Sequence, residues 1–323
     1  MSDHILFLDT EPADRPRVQA RFPDASFADT SSDEDVLVRH CRDATIISTF
    51  ITTRFSRQVI EQLPLLTLLC TRSVGFDHID MNACHEQGIT VCNVPDYGSH
   101  VIAEHVFALL LSTMRHISVA DRRVESGTFD YRGLKGMALM GKTIGIVGTG
   151  HIGRSTARIA HGFQMRILAV DVCKTIELEQ DYGVQYVDYD RLFAESDIIS
   201  LHVPALPSTK HLINAQRISS MKRGVVLINT ARGSLIDTAA LLEGLNSGQV
   251  AYALLDVLEH ETNVIHDRDL VDHPQVVLTP HIAFYTDTSV QKMYDECFQS
   301  IDQWLAGEEP THLVHSPTIV CER

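Results

Sequence analysis

The chain has 323 residues, enough for two domains and two cores, and its 44% hydrophobic and 21% charged residues are the balance of a soluble globular protein. A formal net charge of −15 argues against a nucleic-acid partner bound through its phosphates and is better suited to solubility. The seven cysteines form no C-x-x-C pair or metal-ligand spacing, which fits reduced thiols in a cytoplasm; the opening Met-Ser-Asp-His runs into a strand-like stretch with no signal peptide.

Ile5–Asp9 reads as a strand, and similar short apolar runs recur at Thr45–Ser48, Leu65–Cys70 and Thr90–Asn93. Helical patterns at Arg54–Gln62 and Met81–Gln87 lie between them, the second followed by Gly88 where a C-cap belongs. Strands alternating with helices imply a parallel, doubly wound sheet. Val101–His116 follows as one long helix. It is too short for a membrane span and carries Glu104 and His105, so a core helix is expected. The segment Asp121–Gly141 reads as a polar surface connection. A second α/β unit opens at Thr143, with strands expected at 143–147, 166–170, 197–201, 225–229, 251–255 and 276–279. Asp287–Ala306 is helical again and could return the chain to the first unit.

The strongest motif lies at the start of that second unit. An apolar run from Thr143 to Val147 ends in Gly148-Thr149-Gly150-His151-Ile152-Gly153, a helical pattern follows, and Arg166–Val170 forms the next strand before Asp171. This is G-x-G-x-x-G in its strand–turn–helix–strand context. Gly148 permits the turn, Gly150 lets backbone approach a pyrophosphate, and Gly153 lets helix pack on strand. The helix N-terminus offers N–H groups to phosphates. Asp171 can accept from a ribose diol, and no Arg directly follows it, so NAD is favoured over NADP.

Three further residues follow buried strands. Arg232 emerges after Val225–Ile228 in Asn229-Thr230-Ala231-Arg232-Gly233, where a guanidinium can bind a carboxylate bidentately. Asp256 ends the next strand, with Glu261 shortly after; in isolation Glu259 and Glu261 read as solvated loop acids. The stretch Glu259–His273 carries no role beyond a solvated loop by default. His281 follows Val276–Thr279 and Pro280. Together they suit hydride reduction of a ketone. His donates the proton near neutral pH, a carboxylate holds its tautomer and favours the charged ring, and Arg anchors the substrate and polarises the carbonyl.

These motifs, with Met221–Gly233, Asp256–Glu261, Pro280-His281 and Ser73–Asp80, resemble the D-isomer-specific 2-hydroxyacid dehydrogenases over nearly the full length. The resemblance implies an α/β fold of two doubly wound parallel-sheet domains. A Rossmann-type cofactor domain (99–286) would be inserted into a flavodoxin-like substrate domain (1–98 and 287–323). It makes Arg232, Glu261 and His281 the catalytic set. His151 and Ile152 would offer N–H groups to the pyrophosphate of NAD. Val203, Pro204, Thr230 and Asp256 would contact its nicotinamide half, Asp256 near the carboxamide. Val74 and Gly75 would hold the substrate carboxylate through their N–H groups. Val101 stands where many members carry a hydroxyl residue. The resemblance also implies a cleft between domains, closure on binding, and a homodimer through the cofactor domains.

Within the family, the run Pro280–Thr286 resembles the D-lactate dehydrogenase branch most, with Phe284, Tyr285, Tyr97 and Phe50 as pocket aromatics suited to a small 2-oxo acid such as pyruvate. A second account of those aromatics is that they pack a domain interface. The alternatives for the whole chain are a glyoxylate or hydroxypyruvate reductase and an NAD-sensing, co-repressor-like binding protein. No metal, nucleic acid or membrane partner is expected.

Overall fold

The computed structural model describes residues 3–261 and 263–314. They divide into two compact units, one built from the chain up to Tyr97 with the stretch from Thr286 onward, the other running from Gly98 to Tyr285.

The first unit holds parallel strands β1 (Ile5–Leu8), β2 (Ser26–Ala28), β3 (Ile46–Thr49), β4 (Leu68–Thr71) and β5 (Thr90–Cys92), all but the half-buried β2 made from short, largely buried apolar runs. Their order is β2-β1-β3-β4-β5, the flavodoxin-like arrangement. One core gathers Leu6, Leu8, Ile47, Leu69 and Val91 with Phe55, Val59 and Ile60. Elsewhere the helix Asp287–Leu305 buries Met293, Tyr294, Cys297, Phe298 and Ile301. Phe298 meets Phe7 and Phe22 edge-on, with ring centroids 6.0 and 5.3 Å away. Arg72, 1% exposed, donates to Ser48 Oγ at 2.6 Å, Leu8 O at 2.7 Å and Asp9 O at 2.9 Å, tying the ends of β1 and β3 to the end of β4.

The second unit holds β6 (Thr143–Val147), β7 (Arg166–Val170), β8 (Gln185–Tyr186), β9 (Ile198–Leu201), β10 (Val225–Asn229), β11 (Val250–Leu255) and β12 (Val276–Leu278). They pair in parallel in the order β12-β11-β10-β9-β6-β7-β8, the Rossmann order extended by one strand. Two apolar clusters cover the sheet, one around Leu168, Ile199, Leu227 and Leu255, the other around Ile144, Ile146, Ile167 and Leu254. β10 is buried at all five residues, which is why its sequence reads as one continuous apolar run.

The structure departs from the sequence reading at a few elements. β2 and β8 are additional edge strands. Arg54–Gln62 contracts to the helix Arg57–Ile60, because Ser56 caps it by accepting from Val59 N. The expected connection from Asp121 begins inside a helix, Ile117–Glu125. Cys41, Cys70, Cys84, Cys92 and Cys297 are buried free thiols, whereas Cys173 is disulfide-bonded and so departs from the expected reduced set; Cys321 lies outside the described residues. No helix among the described residues is long and apolar enough to cross a membrane.

Candidate active site

In the second unit the expected site residues all follow the carboxyl ends of strands, where ligands of open α/β sheets bind. Gly148–Gly153 follows β6, Asp171 follows β7, Val203 and Pro204 lie beyond β9, and Thr230 and Arg232 lie beyond β10. Asp256 and Glu261 follow β11, and His281, Phe284 and Tyr285 follow β12. Because β10, β11 and β12 are neighbours in the sheet, the three turns carrying Arg232, Glu261 and His281 are brought to one edge.

Each of those turns is built by a specific contact. Asn229, fully buried, accepts from Ala231 N at 3.0 Å and donates to Arg232 O at 2.8 Å, so the chain reverses and Arg232 emerges. Gly233 then lies so close to the next turn that a Cβ would sit 2.0 Å from the carbonyl carbon and oxygen of Leu258. Asp256, 1% exposed, accepts from Thr279 Oγ1 at 2.5 Å and from the N–H groups of Ile282 and Ala283 at 2.9 Å each. His281 N donates to Asp256 O at 2.8 Å. These bonds hold His281 at φ +53°, a left-handed conformation that a non-glycine residue adopts only when its surroundings dictate it. Thr279, having given its proton to Asp256, accepts at 3.1 Å from His105 Nε2 on the helix Ser99–Met114. The carboxylate of Asp256, expected near the nicotinamide carboxamide, is thus engaged in shaping the His281 turn.

His281 Nδ1 lies 2.9 Å from Glu261 Oε2. A carboxylate only accepts, so Nδ1 carries the proton in this pair and Nε2 is left for another partner.

The glycine turn suits a dinucleotide. Gly148 stands at φ +94°, and its Cβ would lie 2.8 Å from His202 O; a Cβ on Gly153 would lie 1.9 Å from Gly148 O. Open space surrounds the Cβ position of Gly150, which caps the helix His151–Gly162 with no side chain over its first N–H groups. Asp171 accepts from Thr149 N, from Thr149 Oγ1 at 3.0 Å and from Cys173 N at 2.8 Å, which sets its carboxylate beside the turn. The Thr230 hydroxyl is buried and has no hydrogen-bond partner among the described residues. His202 lies just past β9, where burial holds its imidazole neutral with a pKa pushed down to about 3.

In the first unit, Phe50, Val74, Gly75 and Tyr97 likewise follow β3, β4 and β5. The carbonyl of Ser73 accepts from Val94 N at 3.0 Å, that of Val74 from Asn93 Nδ2 at 2.8 Å, and that of Gly75 from Ser73 Oγ at 2.7 Å. Peptide planarity then turns the N–H groups of Val74 and Gly75 away from Val94 N and Asn93 Nδ2. Thr71 Oγ1 bonds both Ser73 Oγ at 2.7 Å and His78 Nε2 at 3.1 Å, bracing the loop. Asn229, His105, Asn93 and Thr71 are supporting residues that motif reading passes over. Only Asn229 carries a local signal, an Asn at a strand end two residues before the N–H it accepts.

Residues 107–283 match the family described as D-isomer specific 2-hydroxyacid dehydrogenase, NAD binding domain. The chain belongs to the D-isomer-specific 2-hydroxyacid dehydrogenases. It is 36% identical to a glyoxylate reductase of Pyrococcus furiosus over 88% of this chain and 86% of that protein. A hydroxypyruvate reductase of Thermotoga maritima is 37% identical over 90% of this chain and 95% of its own. Among solved structures, D-lactate dehydrogenase from Aquifex aeolicus complexed with NAD and lactic acid superposes with a TM-score of 0.90 at 34% identity, covering 98% of this chain and all of the other. This dehydrogenase is an NAD-dependent enzyme, and its two parallel-sheet domains are those of the family.

Proposed function

We propose that this dehydrogenase interconverts a small 2-oxo acid and the D-2-hydroxy acid, with pyruvate and D-lactate as the leading pair. The observation that carries the reading is the 2.9 Å contact between His281 Nδ1 and Glu261 Oε2 on the sheet edge that also presents Arg232. His281 is the general acid/base, giving a proton from Nε2 to the carbonyl oxygen in reduction and taking it back in oxidation. Glu261 fixes its tautomer, and Arg232 anchors the substrate and polarises the carbonyl. The N–H groups of Val74 and Gly75 hold the substrate carboxylate, and Phe50, Tyr97, Phe284 and Tyr285 line the pocket. Bound NADH supplies the hydride. Gly148, Gly150, His151, Ile152 and Gly153 take its pyrophosphate, Asp171 its ribose, and Val203, Pro204, Thr230 and Asp256 its nicotinamide half.

A second reading, reduction of glyoxylate or hydroxypyruvate, is favoured by the names of the curated relatives. Hydroxypyruvate needs a polar partner for its extra hydroxyl, so a substrate panel separates the two. The test follows NADH oxidation with pyruvate, glyoxylate, hydroxypyruvate, phenylpyruvate and 2-oxobutyrate, with NADPH in parallel. The highest kcat/KM on pyruvate supports the leading pair, and preference for glyoxylate or hydroxypyruvate replaces it. No turnover on any of them overturns both.

The assembly proposed is a homodimer through the cofactor domains. The helix Ile117–Glu125 buries none of its residues, and Ile117, Val124, Phe129, Tyr131 and Met140 are exposed by 57, 50, 94, 85 and 66%. Such a run of apolar surface suits a second copy of this chain. Sedimentation at monomer mass would exclude it.

A further inference from the structure

Residues 259, 260 and 261 are consecutive, and each forms a carboxylate–imidazole pair with a different partner. Glu261 meets His281 as described. Glu259 Oε1 lies 2.8 Å from His211 Nε2, and its Oε2 accepts from Thr238 Oγ1 at 3.2 Å. His260 reverses the roles. Its Nδ1 lies 3.1 Å from Asp267 Oδ1, and its backbone N–H donates to Asp267 Oδ2, also at 3.1 Å.

The partners come from separate elements of the second unit. His211 precedes the helix Ala215–Ser220 and is held at φ +49°, Thr238 opens the helix Thr238–Asn246, and Asp267 closes the turn Val264–Asp267. Just before the three residues, the Leu258 carbonyl packs against Gly233 with no room for a Cβ. The backbone is therefore fixed at Leu258, Glu259 and His260 immediately before it delivers Glu261. A solvated loop needs none of this. Asp267 is 2% exposed, and a carboxylate so buried is strongly destabilising without its donors.

We propose that the Glu259–His211 and His260–Asp267 pairs are positioning residues that hold the Glu261 carboxylate on His281. This rests on the reading that Glu261 orients His281. His211 has Asp237 at 4.0 Å from Nδ1, and His260 has the His266 ring at a centroid distance of 5.4 Å. Glu261 Oε1 also accepts from Leu258 N at 3.3 Å.

The test compares Glu259→Gln and Asp267→Asn with Glu261→Gln, alone and combined. It reads kcat, KM for NADH and the pH profile of kcat/KM for reduction. Small displacements of a reacting group are costly, so each flanking variant is expected to lower kcat by about tenfold or more. KM for NADH should stay unchanged. The alkaline limb of the profile should move to lower pH, as in Glu261→Gln. In the Glu261→Gln background neither flanking change should move the limb further. Wild-type profiles in the flanking variants, or effects that multiply with that of Glu261→Gln, would make the pairs merely structural and overturn the proposal. A wild-type profile in Glu261→Gln itself would overturn the underlying reading, and the proposal with it. Should Asp267→Asn fail to fold, Glu259→Gln carries the same test at a more accessible side chain, 20% exposed.

Discussion

The two units obey one topological rule and use it differently. Both place their working loops beyond the carboxyl ends of parallel strands. In the first unit, two networks at that edge join polar side chains to one another. The Asp9 carboxylate accepts from Thr49, Thr52 and Thr53 hydroxyls and from Phe50 N, and Thr71, Ser73 and His78 close a second network. The groups proposed to hold a ligand there are the backbone N–H groups of Val74 and Gly75. In the second unit the edge carries titratable pairs and a buried Thr230 hydroxyl with no hydrogen-bond partner among the described residues. Binding by fixed dipoles suits the first edge, and proton transfer suits the second.

The largest way to sharpen that contrast is His281→Ala. Removing a general acid/base costs roughly 10²-fold to 10⁴-fold, and the loss should fall on kcat with NADH affinity retained. Retention of most turnover would move the proton-transfer role elsewhere. Next is Asp171→Ala. Hydrogen bonds to a charged acceptor contribute about 1.5–3 kcal/mol, so the Kd for NADH should rise by roughly tenfold or more in a fluorescence titration. Unchanged affinity would remove Asp171 from the ribose site.

The first-unit counterpart is Asp9→Asn. Asp9 stands at φ +51°, a conformation that Asn also tolerates, so the backbone is preserved while one acceptor oxygen becomes a donor. Thr52 and Thr53 each donate to this carboxylate at 2.7 Å, and the loop that carries Phe50 would lose part of its anchor. We expect KM for the 2-oxo acid to rise by roughly tenfold and kcat to hold. A fall in kcat with KM unchanged would show that this edge does more than bind.

The sequence made the second edge legible before the first. β6 and β10 are buried at every residue and β7 at its centre, and the glycine turn Gly148–Gly153, Asp171 and Arg232 stand at or just past their carboxyl ends. β2 and β8 are short edge strands of three and two residues without such a run, so nothing local distinguishes them. The helix Ile117–Glu125 buries no residue, so its apolar residues Ile117, Ala120 and Val124 pack into no core of this unit and the segment reads as a surface connection. The left-handed positions of Asp9 and His281 are held by hydrogen-bond partners distant in sequence and carry no glycine to announce them. Glu259 and Asp267 read as solvated acids because their role depends on partners: His211 is 48 residues from Glu259 in sequence, and Asp267 meets an imidazole only after the chain has turned.

The smallest effect concerns His202, the one imidazole at the second edge that burial holds neutral. Its N–H donates to Val147 O at 2.7 Å, its carbonyl lies under Gly148, and its Nε2 lies 2.9 Å from the buried Ser200 Oγ. Burial pushes its pKa down to about 3, whereas an unfolded His titrates near 6.5. Between those values the unfolded chain binds the extra proton, so stability rises with pH through the window and is lost as pH falls from 6.5 toward 3. The loss from this group should reach roughly 2–3 kcal/mol by pH 4.5. Urea unfolding at pH 7 and pH 4.5 measures it, with His202→Gln as the reference, since Gln can keep the bond to Ser200 and does not titrate. A smaller pH dependence in the variant is expected. Equal pH dependence in both proteins would mean that His202 takes up a proton in the folded state. The glycine turn would then rest on a charged group, and the neutral character assigned to that end of the edge would fail.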